Sequence, residues 1–298
     1  GAHVARTGSL RLAIDGSELD DLDAEATLLE AAGVPVERLG RDALDTLLQP
    51  HFLGGLRFPS DGRSVPAGWV RALGAAAADV GAAIHEASPV AAIEDDSDAV
   101  VVRTSDGREV RAGQCIVATE AWLSGLVPEL AGRVLPYRSQ VLAAAAPLDG
   151  DGAVRRLLPQ VTWSRRGWDY VQQAGDGTLV IGGERLEEVD RLRHWTEDPE
   201  PDDQAWLESW LQRVLGIEPD VLARWAGVLS QTPDGFPYVG ALPGRPRVHA
   251  CGGWGGAGNV LGFLAGQLLA DVVLDRTDAI PDEFRASRIG TAASATGD

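Results

Sequence analysis

The spacing of apolar residues along the chain predicts a mixture of strands and helices. Leu10, Leu12 and Ile14 alternate with other positions and predict a strand near the N-terminus. Helical spacing predicts helices over residues 19–32, 41–48, 66–80, 202–215 and 259–274. Further strands are predicted over residues 83–85, 90–93, 100–104, 109–111, 115–118, 137–146, 168–172, 179–182, 225–229 and 248–251, and a loop over 54–63.

Composition and charge restrict the classes of partner. The 298-residue chain has a formal net charge of −18, which disfavours nucleic acid and anionic membranes as partners. The sequence has neither a transmembrane segment nor a signal peptide pattern, so the cytoplasm is the expected compartment. Two cysteines and five scattered histidines form no disulfide framework and no metal-binding pattern, so no metal site is expected.

The most informative stretch is the glycine turn, residues 252–258, between a predicted strand and a predicted helix. Glycines allow positive φ and close approach of the backbone to a ligand. Free amides at the start of the helix favour an anion or an electron-rich ring. The helix carries one small residue per turn: Gly258, Gly262, Gly266 and Ala270. A tight turn before a buried helix is the alternative interpretation.

Eight segments occur in an order that resembles one enzyme family. They are residues 8–13, 62–66, 81–90, 116–122, 135–140, 177–183, 232–240 and 252–258. Together they resemble the FAD-dependent D-amino-acid oxidase family, in its branch of glycine, sarcosine and gamma-glutamylputrescine oxidases. The resemblance covers nearly all of residues 5–285.

The resemblance implies an α/β (α+β) fold in which two domains are interleaved. A Rossmann-like FAD-binding domain is expected over 61–130 and 230–286, and a substrate domain with an antiparallel sheet over 1–60 and 131–229. Residues 287–298 are expected to form a disordered tail. The family opens with a strand, a Gly-x-Gly-x-x-Gly turn and a helix. None of these precedes His3, so the FAD-binding domain is expected to be incomplete at its N-terminus.

The resemblance also implies which residues contact FAD. Val90 is placed beside the adenine half, and Ala118, Thr119 and Trp122 at the diphosphate. The flavin ring is expected to face Gly253, Trp254, Gly255, Gly256, Ala257, Gly258 and Asn259.

Two positions of this chain differ from the family pattern. Glu120 stands where the family has Gly or Asn, the residues that adopt the left-handed conformation most easily, and its carboxylate would repel a phosphate. Gly227 stands where sarcosine oxidases tether the flavin through a Cys, so the FAD is expected to be non-covalent.

The implied activity is oxidation of the C–N bond of an amino acid or a secondary amine. Hydride passes to the flavin, and the resulting imine hydrolyses. The cofactor carries this chemistry, so the candidate catalytic residues are substrate contacts: Tyr170, Arg185 and Trp254. An Arg holds a carboxylate in bidentate fashion. Sheet packing by Tyr170 and a surface ion pair of Arg185 are the alternative interpretations.

Two questions stay open at this point. A truncated or degenerate member that binds no flavin and is inactive alone would account for the missing N-terminal turn and for Glu120. A piece completed by another chain would account for the same features. The electron acceptor is oxygen in an oxidase and another molecule in a dehydrogenase, and the sequence does not separate these.

Overall fold

The computed structural model of the chain describes residues 4–96, 98–183 and 193–290. The helices are α1 (Gly16–Ala31), α2 (Pro66–Asp79), α3 (Leu123–Leu126), α4 (Pro201–Leu215) and α5 (Gly258–Val273). The strands are β1 (Ser9–Ala13), β2 (Glu37–Gly40), β3 (Gly54–Phe58), β4 (Val90–Asp95), β5 (Val100–Thr104), β6 (Glu109–Ala112), β7 (Cys115–Val117), β8 (Leu135–Ala144), β9 (Val161–Ser164), β10 (Asp169–Gln173), β11 (Leu179–Gly183), β12 (Val221–Gln231), β13 (Tyr238–Leu242) and β14 (Arg245–Gly252).

Contacts divide the described residues into two compact units. Unit 1 contains residues 4–82, 139–183 and 197–227, and unit 2 contains the remaining described residues. The sequence assigned residues 61–82, which include α2, to the FAD-binding domain, whereas their contacts lie in unit 1. That unit 1 binds substrate and unit 2 binds cofactor stays a prediction.

Unit 1 contains most of an eight-stranded sheet with the order β12-β8-β11-β10-β9-β1-β3-β2. Residues 135–138 of β8 and 228–231 of β12 are assigned to unit 2. β1 pairs with β9 in parallel, and the pairs β8–β11, β10–β11, β9–β10, β1–β3 and β2–β3 are antiparallel. Leu142 and Ile181 pack with Leu207 and Leu211 of α4 in the main core cluster. Alternate residues of a strand point to opposite faces, so one face of β8, β10 and β11 carries the core. The opposite face is left for other contacts.

The N-terminal helix α1 covers the other face of the sheet at β1 and β3. Leu22 and Ala26 pack against Ala13 and Leu56 in a smaller core cluster. The helix begins at the side chain of Asp15, which accepts a hydrogen bond from the backbone N–H of Glu18 at 2.8 Å. Such N-caps satisfy amides that have no partner inside the helix.

Unit 2 contains two three-stranded sheets. In the order β13-β14-β7, β14 pairs with β7 in parallel and with β13 antiparallel. The second sheet, β4-β5-β6, is an antiparallel meander. Helix α5 follows β14 and buries Ala265 and Leu269 against Val239 and Cys251. Mixed sheets with helices confirm the predicted α/β class.

Residues 54–63 were predicted as a loop. This prediction is wrong for Gly54–Phe58, which form β3, whereas residues 59–63 lie outside the helices and named strands. A Cβ on Gly55 would lie 1.9 Å from the carbonyl oxygen of Arg11 in the neighbouring strand. The glycine therefore permits close approach of two strands and does not mark a turn. Two more predictions differ: residues 41–48 form only a 3-10 turn over Arg41–Ala43, and residues 83–85 form no strand.

The first part of the predicted tail is ordered. Ala286–Gly290 form a 3-10 helix. Nε of Arg288 donates to Oδ2 of Asp234 at 2.9 Å, and its guanidinium lies 3.8 Å from the ring centre of Tyr238. These contacts hold residues that the sequence assigned to a disordered tail. Residues 291–298 of that tail lie outside the described residues. Within the described ranges, no helix is long and apolar enough to span a membrane.

Candidate functional site

The glycine turn and two other predicted cofactor residues, Ala118 and Thr119, meet at the carboxyl edge of a parallel strand pair in unit 2. Because β7 and β14 run in parallel, their carboxyl ends lie side by side. Ala118 and Thr119 follow β7, and the glycine turn begins at the last residue of β14. A Cβ on Gly252 would lie 3.4 Å from Cα of Glu120, so the two segments touch. Ligands of open α/β sheets bind outside the carboxyl ends of the strands.

The glycine turn is closed on one side and open on the other. Gly253, Gly255 and Gly256 have φ values of +86°, +57° and +91°, which side chains rarely permit. A Cβ on Gly253 would lie 2.8 Å from Cγ2 of Thr232. A Cβ on Gly255 or Gly256 would meet nothing within 4 Å. The helix that follows begins at Gly258, and no side chain caps it.

Trp254 turns back onto helix α5. A Cβ on Gly258 would lie 3.2 Å from its Cδ1, and one on Gly262 would lie 3.8 Å from its Cε2. A Cβ on Gly266 would meet nothing within 4 Å. The indole of Trp254 therefore packs over Gly258 and Gly262, two of the small residues that recur once per turn of the helix. The role of Trp254 as a substrate contact stays a prediction, and the packing on α5 is what the structure shows.

Glu120 connects three segments of unit 2. Its φ is +50°, the left-handed conformation in which the family has Gly or Asn. Oε1 accepts from the N–H and the hydroxyl of Ser230 at 2.9 and 2.7 Å, and Oε2 accepts from the N–H of Gly253 at 3.1 Å. The Gly253 amide, which the resemblance placed at the flavin, is thus bound to a carboxylate of the chain itself. Ser230 had no signal in the sequence.

The remaining predicted cofactor residues occupy separate places in unit 2. Trp122 lies beside Trp195, with ring centres 6.0 Å apart, and both side chains are about half exposed. Val90 begins β4, in the other sheet of this unit. Ala257 and Asn259 flank the first residue of α5. The structure therefore brings Ala118 and Thr119 to the glycine turn, and assigns Val90 to a different sheet.

The burial of Cys251, one residue before the glycine turn, raises the pKa of its thiol. Removal of water around the buried sulfur is the larger cause, and the negative charge of Glu120 adds to it, giving a pKa of about 11. The thiol is therefore protonated near neutral pH and is a poor nucleophile. We assign it to packing.

In unit 1, Tyr170 lies on the sheet face opposite the core. It pairs with Gly182 across β10 and β11. A Cβ on Gly182 would lie 2.1 Å from Cζ of the ring, so the ring lies directly over the glycine. The hydroxyls of Tyr170 and Ser139 are 3.4 Å apart. Trp163 of β9 is the cross-strand neighbour of Tyr170 and is 43% exposed.

This aromatic face of Tyr170 and Trp163 is where the sequence predicted a substrate contact. Val171, the next residue of β10, is buried in the core, so the strand alternates as expected for a sheet with one covered face. Arg185, the predicted partner of a substrate carboxylate, lies outside the described residues. In the described part of the chain, no group of three or more His, Cys, Asp or Glu side chains could hold a metal ion.

The comparisons with known proteins identify the family. Residues 1–272 match the family model described as FAD dependent oxidoreductase. The chain belongs to this family. The match confirms the predicted enzyme class and FAD as its cofactor.

Two curated relatives and one solved structure show how far the similarity extends. The glycine oxidase of Geobacillus kaustophilus (strain HTA426) is 28% identical over 285 residues, covering 91% of this chain and 70% of that protein. The D-amino acid dehydrogenase of Methylobacterium sp. (strain 4-46) is 26% identical over 295 residues, covering 94% of this chain and 66% of that protein. The crystal structure of glycine oxidase from Geobacillus kaustophilus superposes with a TM-score of 0.82 at 26% identity, covering 96% of this chain and 76% of that one.

The described residues fit one part of FAD. The open side of the glycine turn and the uncapped start of α5 suit the flat, electron-rich end of the flavin ring. The diphosphate is bound in this family by a Gly-x-Gly-x-x-Gly turn after the first strand. Among the described residues, no such turn stands at the N-terminal end of the chain.

Proposed function

We propose that this chain forms the larger part of an FAD-dependent oxidoreductase that oxidises the C–N bond of an amino acid or a secondary amine. The observation that carries the proposal is the carboxyl edge of β7 and β14, where the glycine turn meets Ala118 and Thr119. Bound FAD would supply the two-electron acceptor for the substrate.

In this proposal, the residues of unit 2 position the cofactor. Gly255 and Gly256 leave open space beside the backbone, which allows a flat ring to approach it. The amides at the start of α5 stabilise negative charge at the facing edge of the ring, because the positive end of the helix dipole lies there. A side chain at either glycine would fill that space and strain the backbone.

The residues of unit 1 would then bind and orient the substrate. Tyr170 and Trp163 present a flat apolar surface with one hydroxyl, which suits the carbon chain and the polar end of an amine. Arg185 is the proposed partner of a substrate carboxylate, because its fork can bind both oxygens.

One edge of unit 2 fits the strand, turn and helix with which the family opens. Among the described residues, β7 is hydrogen-bonded on one side only, to β14. Helix α5 exposes Val260, at 72%, together with Phe263 and Leu264. Open parallel edges and exposed apolar faces are surfaces that proteins cover. We infer that a strand–turn–helix unit, upstream in the same chain or from another chain, covers this surface and supplies the diphosphate turn.

The substrate class is tested by anaerobic reduction of the complete protein loaded with FAD. Bleaching of the flavin absorption by glycine, D-amino acids or sarcosine is the expected result, and it identifies the substrate. Absence of bleaching across amino acids and secondary amines would overturn the proposed reaction. Oxygen uptake compared with dye reduction then separates an oxidase from a dehydrogenase.

A member that binds no flavin is the second candidate. The hydrogen bond from the Gly253 amide to Glu120 favours it, because this amide is not free for a ligand. Failure of FAD to bind, both to this chain and to the chain joined to a strand–turn–helix unit, would support this candidate.

A further inference from the structure

Three hydrogen bonds from two distant segments converge on the carboxylate of Glu120. Two come from the N–H and the hydroxyl of Ser230, at the end of β12, and one comes from the N–H of Gly253. Ser230 is fully buried. Hydrogen bonds to an ionised acceptor are shorter and stronger than those between neutral groups. The carboxylate therefore links Ser230, the residues after β7 and the glycine turn, all of which lie in unit 2.

The hydrogen-bond network of Glu120 continues into the glycine turn through Ser230. The N–H of Gly255 donates to the carbonyl oxygen of Ser230 at 3.0 Å. Ser230 thus binds Glu120 through its N–H and hydroxyl, and binds the turn through its carbonyl. Movement of the carboxylate would release Gly253 directly and Gly255 through Ser230.

The donors around Glu120 form a site of the kind that binds anions. Two backbone amides and one hydroxyl point to one place, as in the concave backbone sites that hold phosphate. A carboxylate of the chain fills this place, and its three described partners are all neutral. Its negative charge is not cancelled by these donors. A free phosphate would have to displace it and meet like charge.

Glu120 has a left-handed backbone conformation, which is strained for a residue that carries a side chain. A non-glycine residue is disfavoured in this conformation, because its Cβ comes close to the following carbonyl oxygen. Gly would relieve this cost and remove the carboxylate at the same time. The hydrogen bonds of the carboxylate are the compensating interactions that the structure offers.

We propose that Glu120 is a positioning residue of the glycine turn, and that its carboxylate makes the turn select an uncharged ring over a free anion. The inference rests on the proposed function, in which that ring is the flavin of FAD. An acid, which is unfavourable for phosphate, therefore has a role beside the turn. The phosphate groups of FAD would then be held mainly by the strand–turn–helix unit, with Glu120 next to Ala118 and Thr119, which the resemblance placed beside the diphosphate.

The test is backbone amide exchange in the flavin-free 298-residue chain, for Glu120→Gly and Glu120→Gln. Glu283→Gln is the matched control, because Glu283 is an exposed acid of the same unit and its loss changes the net charge equally. In Glu120→Gly, exchange at Gly253 is expected to accelerate about tenfold or more, as for a lost charged hydrogen bond. Gly255, which does not touch Glu120, is expected to accelerate as well. Glu120→Gln keeps one accepting oxygen, so its exchange rates at Gly253 and Gly255 are expected to lie between those of the unsubstituted chain and those of Glu120→Gly.

Inorganic phosphate provides a readout that a merely structural role would not change. Phosphate is expected to slow exchange at Gly253 in Glu120→Gly and to leave the unsubstituted chain and Glu283→Gln unchanged. Unchanged exchange at Gly255 in Glu120→Gly would overturn the positioning role. Equal effects of phosphate on Glu120→Gly and the unsubstituted chain would overturn the selection against anions. Because these measurements contain no flavin, their failure is distinct from a failure of FAD to bind, which overturns the proposed function instead.

Discussion

The indole of Trp254 lies so close to Gly258 that a Cβ at position 258 would approach its Cδ1 to 3.2 Å. The glycine turn and the first turn of α5 therefore pack against each other through one aromatic side chain. Trp254 is half-buried and contacts the core cluster of Val239, Cys251 and Leu269. Its freedom to move away from an added methyl group is small.

Gly258→Ala and Gly266→Ala form a matched pair in the same helix. At Gly266, nothing lies within 4 Å of an added Cβ, so Ala should stabilise α5 by about 0.5–1 kcal/mol. At Gly258, crowding against Trp254 offsets this gain. We expect Gly258→Ala to be less stable than Gly266→Ala by about 1 kcal/mol in urea unfolding. Equal stability of the two variants would show that the indole moves freely.

Gly182→Ala tests the aromatic face of unit 1. An added Cβ would lie 2.1 Å from Cζ of Tyr170, so the ring must move. We expect a loss of about 1–3 kcal/mol in the free energy of unfolding. In the double variant Gly182→Ala with Tyr170→Ala, the clash is absent, so the two effects should not add. Additive losses would contradict the contact between ring and glycine.

Arg288→Met tests the contribution of the ion pair between Arg288 and Asp234 to stability. Burial raises the pKa of Asp234, but the charge and hydrogen bonds of Arg288, with the Phe236 amide, outweigh it, so the net pKa is lowered. A lowered pKa gives stability above the unfolded pKa that is lost as the pH falls through the folded value. We therefore expect the unfolding midpoint to fall less between pH 7 and pH 3 in Arg288→Met than in the unsubstituted chain. Arg288→Lys, the control, keeps the charge and should retain part of the dependence.

Cys251 gives a prediction at alkaline pH. Its pKa is raised from 9.0 to about 11, so the protonated thiol stabilises the fold below pH 9, and this stability is lost as the pH rises through about 11. The full effect is on the order of 3 kcal/mol. In a Cys115→Ser background, the remaining thiol should react slowly with a disulfide reagent at pH 8 unless the protein is unfolded. Rapid reaction of the folded protein would contradict the assignment of Cys251 to packing. In Cys251→Ala, the free energy of unfolding should fall less as the pH rises from 9 to 11.

Much of the fold could be predicted from local patterns. Helix α4 was predicted from its apolar spacing and α5 from its place after the glycine turn, and both predicted ranges lie within one residue of the observed bounds. Strand β3 was missed because Gly54 and Gly55 are also typical of turns. Only the neighbouring strand β1 explains why glycine is needed there.

The candidate site was predictable in outline, through the family resemblance, and not in its contacts. Residues 118–119 and the glycine turn meet because β7 and β14 are parallel neighbours, which no local pattern reveals. The hydrogen bonds between Glu120 and Ser230 join residues 110 positions apart. Arg288 stands in a polar segment typical of a disordered tail, and its partner Asp234 is 54 positions away. Such long-range pairs depend on the whole fold.

Whether the glycine turn binds the flavin is tested by the visible absorption spectrum of the chain after incubation with FAD and gel filtration. It is measured for the chain alone, for the chain joined to a strand–turn–helix unit, and for the joined form with Gly256→Val. We expect a bound flavin spectrum for the joined form and its loss in Gly256→Val, because the valine fills the open side of the glycine turn and strains a backbone at φ +91°. A joined form that retains no flavin, or a Gly256→Val variant that retains it fully, would show that the glycine turn does not hold the flavin.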